Sequence, residues 1–120
     1  MKLGHIGLPV ADIKKAKAFY DAIAPSVRLK RLADHEDFVG YGSKDSYEFY
    51  IHTGKAGVSG LHVCFEVDTR EQVQTFYDAG LAAGGSDNGS PGIREDYGPT
   101  YYAAFVLDPD GNNLEAVCRN

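Results

Sequence analysis

Two stretches of this chain repeat each other. HIGLPVADIKKAKAFYDA begins at His5, HVCFEVDTREQVQTFYDA begins at His62, and a shift of 57 residues lays one on the other without a gap. Six of the 18 aligned positions are identical: His5/His62, Val10/Val67, Phe19/Phe76, Tyr20/Tyr77, Asp21/Asp78 and Ala22/Ala79. Average composition would give about one. Ile6/Val63 and Leu8/Phe65 keep the apolar pattern as well. An internal duplication constrains the fold strongly, because each copy is a supersecondary unit that cannot bury its apolar face alone. A chain of 120 residues is one domain, residues 1–120, with modules of approximately 1–57 and 58–120 around a single core.

Each copy reads as a strand followed by a helix. Leu3–Val10 and Leu61–Val67 alternate with period two, so each strand has one face for a core and one face elsewhere. Asp12 is the N-cap of the first helix and Thr69 of the second, with Glu71 adding negative charge in the first turn. Ala16, Phe19, Tyr20 and Ile23 form a stripe at helical spacing, and Val73, Phe76 and Tyr77 repeat it. Pro25 ends the first helix; Gly80, Gly84 and Gly85 end the second. Three strands follow in each copy: Val27–Leu32, Asp37–Tyr41 and Tyr47–His52, then a weak one around Ile93, Thr100–Leu107 and Asn113–Arg119. DPDGNN from Asp108 carries the Asp-Gly chemistry of a tight hairpin turn. Each module is therefore βαβββ, and the pair makes an α+β domain.

Composition narrows the function. The net charge is −5, and Arg28, Lys30 and Arg31 read as the guarded edge of a solvated strand, which leaves no nucleic-acid surface. No apolar run approaches the ~18 residues of a membrane span. Gly4, His5 and Pro9 interrupt any signal-peptide core. Cys64 and Cys118 sit in apolar alternating segments and read as free thiols in a reducing compartment, so the expected location is cytoplasmic.

Alternation also says which side chains turn away from the helices. If Ile6, Leu8 and Val10 face the helix, His5 and Gly7 do not; if Val63, Phe65 and Val67 do, then His62, Cys64 and Glu66 do not. The last strand leaves Glu115 and Val117 on the far side, and the fourth leaves Glu48, Tyr50 and His52, with Tyr47, Phe49 and Ile51 on the helix side. A twofold between the copies makes His5 and His62 symmetry mates. Two imidazoles and Glu115 on one concave face are the donor set of a non-haem iron(II) or catalytic zinc site.

The same residues resemble the vicinal oxygen chelate superfamily, which holds glyoxalase I, bleomycin-resistance proteins, thiol transferases for fosfomycin and extradiol dioxygenases. HIGLPVADIKKAKAFYDAI is similar to its first strand and helix, AFVLDPDGNNLEAVC from Ala104 to its last hairpin, and DNGSPGIREDYGPTYYAAF from Asp87 to small single-domain members. The resemblance covers essentially the whole chain. It implies two βαβββ modules forming a U-shaped curved sheet, the glyoxalase-like fold. It places metal ligands at His5, His62 and Glu115, and it implies a homodimer, side by side or with exchanged modules. Metal-dependent isomerases of the family carry a second glutamate on the fourth strand; here YEFYIH offers Glu48 or Tyr50, and Tyr50 is the better match.

The expected function is a metal-dependent enzyme, an isomerase, lyase, transferase or dioxygenase, with zinc, iron, nickel or manganese chelated by oxygens of a small substrate. Glu48 or Tyr50 supplies proton transfer or orientation. Tyr50, Cys64 and either Tyr101 or Tyr102 line the cup, Tyr102 being preferred because it shares parity with Ala104 and Val106; Arg94 and Tyr97 stand at the rim. The alternative is a drug-sequestering protein of the bleomycin-resistance type, without chemistry, for aromatic or cationic compounds.

Overall fold

The computed structural model describes residues 3–55 and 61–120. The first module runs β1 (Ile6–Val10), α1 (Ile13–Ile23), a 3₁₀ turn (Ala24–Val27), β2 (Lys30–His35), β3 (Phe38–Gly42) and β4 (Phe49–Thr53). The second runs β5 (His62–Glu66), α2 (Arg70–Ala82), β6 (Ser86–Ile93), β7 (Tyr102–Leu107) and β8 (Asn113–Cys118). Two four-stranded sheets result, ordered β1-β4-β3-β2 and β5-β8-β7-β6. These are one topology written twice, as the duplication requires, in an α+β fold. The boundary expected near residues 57 and 58 lies outside the described residues.

Local chemistry sets the helix ends. Asp12 accepts hydrogen bonds from the amides of Lys14 (3.1 Å) and Lys15 (3.2 Å) to start α1. Thr69 and Gln72 form a reciprocal capping box at α2. Pro25 enters the 3₁₀ turn, and Arg28 closes it in the left-handed region at φ 62°. Gly80 does not end α2. It lies buried within the helix, where an added Cβ would stand 3.1 Å from Val106 Cγ1, so its smallness lets α2 approach β7. Termination waits for Gly84, at φ 103°.

Both apolar stripes enter one shared core: Phe19, Tyr20 and Ile23 from α1, Val73 and Phe76 from α2, Leu8, Ile51, Val106 and Leu114 from the sheets. Phe49 of β4 meets Phe65 of β5 edge to face at 5.6 Å, joining the modules. A polar tie reinforces them. The Tyr20 hydroxyl donates to Asp108 Oδ2 at 2.5 Å, and Asp108 also receives Asp110 N, Asn112 N and Asn112 Nδ2. The DPDGNN turn is thereby anchored to a helix of the other module.

Three local expectations change. β6 is eight residues long despite Pro91 and its glycines; it is an edge strand with register shifts, where a missing N–H is tolerated. Turning at Glu36 and Asp37 lets β2 run on to His35. Tyr47 precedes β4 rather than belonging to it, and its ring packs over Gly40 and against Phe38 and Tyr50, away from the helices. β2 is the guarded edge expected: Arg31 pairs with Asp21 and Lys17 with Asp34, each at 2.6 Å. Among the described residues no helix is long and apolar enough to cross a membrane.

Candidate metal centre

Parallel pairing of β5 with β8 sets Cys64 opposite Glu115 and His62 opposite Asn113. From there His62 reaches Glu115: Nε2 lies 3.0 Å from Oε1, while Nδ1 lies 3.0 Å from the Asn113 carbonyl oxygen. A carbonyl only accepts, so Nδ1 carries the proton and donates it. In the neutral ring Nε2 then presents a lone pair to a carboxylate oxygen, two acceptors face to face. That contact needs either a proton between the two atoms, on the ring or on the carboxyl, or a cation.

A cation suits the spacing. Donors that each bind a divalent ion at about 2.1 Å stand about 3.0 Å apart at neighbouring corners of an octahedron. The supporting shell is that of a metal ligand pair: the imidazole is fixed by a backbone carbonyl and the carboxylate by a hydroxyl. Glu115 is only 4% exposed, and its second oxygen, Oε2, accepts from the Tyr101 hydroxyl at 2.5 Å. The pair therefore has the spacing of two ligands of one divalent metal.

Aromatic rings and two arginines pave the surroundings. His62 stacks on Phe105 at 6.1 Å, Tyr97 meets Tyr101 edgewise at 5.2 Å, and the Arg119 guanidinium covers Tyr101 at 5.1 Å. Arg94 lies over Phe105 at 5.5 Å and donates to the Ser90 carbonyl at 2.7 Å, so Arg94 and Tyr97 do border this face. Burial, then the Glu115 hydrogen bond, raises the Tyr101 phenol above its ordinary range. Cys64 keeps an exposed edge, but partial burial and then the Glu115 charge push its thiol up to about 12. It stays protonated near neutrality and is a poor nucleophile there.

The preference for Tyr102 is corrected. Its hydroxyl accepts from Gln74 Nε2 at 2.9 Å and its ring underlies Arg70 at 4.9 Å, both residues of α2. The β7–β8 register sets Phe105 opposite Glu115 and Ala103 opposite Val117, so the bulkier set, with Tyr101, faces the carboxylate. Parity with Ala104 and Val106 was the wrong guide because both face the core, with Tyr102 packed against it. Phe105 and Arg119, which sequence reasoning did not single out, join it; parity with Tyr101 was the available signal for Phe105.

In the first sheet, Gly7 of β1 pairs with Tyr50 of β4, as Cys64 pairs with Glu115 in the second. Gly7 and Cys64 are repeat mates, so Tyr50 holds the position that Glu115 holds in the other module. Its ring lies across Gly7, where a Cβ would be 2.3 Å from Tyr50 Cζ. Phe38 stacks on Tyr50 at 4.9 Å, and the rings of His5 (5.6 Å) and His52 (5.8 Å) flank it. Glu48 Oε1 accepts from Ser43 N (2.9 Å) and Ser43 Oγ (2.5 Å). His5, Glu48, Cys64 and Glu66 are among the residues lining a groove of about 400 Å³. The chain thus unites His62 with Glu115 and sets His5 beside Tyr50. Among the described residues no third His, Cys, Asp or Glu completes a metal-holding group.

Fold and site together define a duplicated βαβββ protein whose polar donors lie on the sheet faces turned from the helices. No family model matches the chain. It is 30% identical over 126 residues to a probable lactoylglutathione lyase of Vibrio parahaemolyticus, spanning 94% of this chain and 87% of that protein. Among solved structures, a glyoxalase/bleomycin resistance protein from Albidiferax ferrireducens T118 superposes with TM-score 0.85 at 29% identity, covering 96% of this chain and 97% of that one. A mutant fosfomycin resistance protein, FosX, from Listeria monocytogenes, complexed with Mn(II) and 1S,2S-dihydroxypropylphosphonic acid, shares the fold at TM-score 0.72 and 18% identity, covering 97% and 88%. The chain belongs to the glyoxalase/bleomycin resistance/dioxygenase family, within the vicinal oxygen chelate superfamily.

Proposed function

We propose that the protein is a cytoplasmic, metal-dependent enzyme of the glyoxalase/dioxygenase type, acting on a small substrate that offers oxygens to a divalent cation. The observation that carries this reading is the His62–Glu115 pair, with Nε2 and Oε1 3.0 Å apart and the other ring nitrogen and carboxylate oxygen tied back. The relative named as a probable lactoylglutathione lyase supports the reaction class. His62 and Glu115 would hold the ion, with His5 as third ligand. Zinc, iron(II), nickel and manganese all accept this N,N,O set.

His5 stands at the start of the other sheet, so the set closes in a homodimer that lays the first sheet of one chain against the second sheet of its partner. A bound cation supplies Lewis acidity to the substrate oxygens. The chain's own residues do the rest. Asn113 aims the His62 lone pair, Phe105 and Tyr97 keep water from one side, and the Tyr50 hydroxyl orients the substrate. Glu48, in the same groove as His5, is the proton acceptor.

Metal analysis of protein purified without tag or chelator tests this directly. One ion per chain is expected, with loss in His62→Ala and Glu115→Ala. Mixing His5→Ala with His62→Ala chains regenerates one intact site per hybrid dimer if ligands are shared. Metal retained at full occupancy in both His62→Ala and Glu115→Ala sinks the reading. Metal-free protein that binds hydrophobic cations turns it to sequestration.

A further inference from the structure

Glu115 presents its two oxygens to different neighbours, and the role inferred for this asymmetry rests on the metal-enzyme reading. Oε1 faces His62 Nε2 at 3.0 Å; Oε2 is taken by the Tyr101 hydroxyl at 2.5 Å. A carboxylate can otherwise chelate a cation with both oxygens, filling two coordination positions. We infer that Tyr101 is a positioning residue that restricts Glu115 to one-oxygen ligation, leaving a coordination position for the second oxygen of a chelating substrate.

Tyr101 is built for a fixed role. Its amide donates to the Gly98 carbonyl (3.3 Å), and its carbonyl accepts from Arg94 N (2.8 Å), closing the Arg94–Tyr101 loop. Its ring is held by Tyr97 at 5.2 Å, inclined at 67°, and by the Arg119 guanidinium at 5.1 Å. Arg119 is in turn steadied by Glu66 Oε1 at 3.3 Å. These contacts favour the position in which the phenol donates to Oε2. Tyr101 touches neither substrate nor ion in this arrangement; it acts through Glu115.

Cobalt(II) titrated into the full chain provides the test, because its visible ligand-field absorption weakens as coordination number rises. Acetohydroxamate, a two-oxygen chelator, serves as the substrate probe. Tyr101→Phe is expected to bind one cobalt per site with weaker absorption, and to lose roughly tenfold or more in acetohydroxamate affinity, the usual scale for outer-shell changes. A spectrum and probe affinity matching the unmodified protein overturn the inference, and so does loss of cobalt altogether, which marks a merely structural role. Tyr97→Ala, at an exposed ring, covers the case in which Tyr101→Phe fails to fold: a partial change in the same direction supports the inference, and no change overturns it. Unmodified protein that takes up no cobalt removes the metal reading itself, a separate outcome from the failure of Tyr101 alone.

Discussion

Removing one oxygen atom at Tyr20 tests how the two modules are bound together. Tyr20 is 2% exposed and Asp108 4%, so their 2.5 Å hydrogen bond is shielded from water, and Tyr20→Phe deletes only the donor. A hydrogen bond to a charged group contributes about 1.5–3 kcal/mol. Asp108 keeps three other donors in the variant, which places the loss near ~2 kcal/mol. For a chain of 120 residues that lowers Tm by roughly 6–10 °C. Alkali gives the second half of the test. Burial first, then the Asp108 charge, raises the Tyr20 phenol well above its usual range. Above pH ~10 the unfolded tyrosine releases its proton while the folded one keeps it. The unfolded state then binds fewer protons, and the stability of the unmodified protein falls with pH. The Tyr20→Phe variant has no phenol to titrate at this position, so the gap between the two proteins narrows above pH ~10. Thermal melts followed by circular dichroism from pH 7 to 11 measure both effects. A gap below about 2 °C at pH 7, or one that widens with alkali, refutes the reasoning.

Thr69→Ala dismantles the capping box at α2 and is expected to cost about 1 kcal/mol, read as a lower urea midpoint with unchanged slope. Cys64, with its thiol pushed up to about 12, should react with iodoacetamide slowly at pH 8 and about tenfold faster per pH unit until pH ~11; a plateau near the ordinary thiol value of about 8.5 contradicts that. Gly7→Ala puts a methyl group 2.3 Å from Tyr50 Cζ, so the ring must leave its place. Stability should fall by about 1–3 kcal/mol, while a cobalt spectrum governed by His62 and Glu115 changes less than in His62→Ala.

The helices were legible in the sequence because each property that makes them is local: Asp12 and Thr69 as caps, and apolar stripes at Ala16–Ile23 and Val73–Tyr77 that do enter the core. The duplication extended that reading to strand order, since matching stretches fold alike. Gly80 was misread because its reason, the approach of Val106, comes from a distant strand. Tyr101 and Tyr102 were misassigned because alternation has two phases, and only the β7–β8 register selects one. Parity did bring Glu115 to the face of His62. Repeat symmetry made His5 the equivalent of His62, while the first strands of the two modules belong to separate sheets.

The Tyr50-for-glutamate position bears on charge balance. A dication held by two neutral imidazoles and two carboxylates carries no net charge; exchanging one acid for a phenol leaves a surplus of one positive unit. At the proposed site such a surplus would draw ligands that arrive as anions, enolates or ionised hydroxyls among them, and would hold them against water more firmly than a neutralised centre would. At the proposed centre the first module would then act on the substrate through the charge that Tyr50 does not bring.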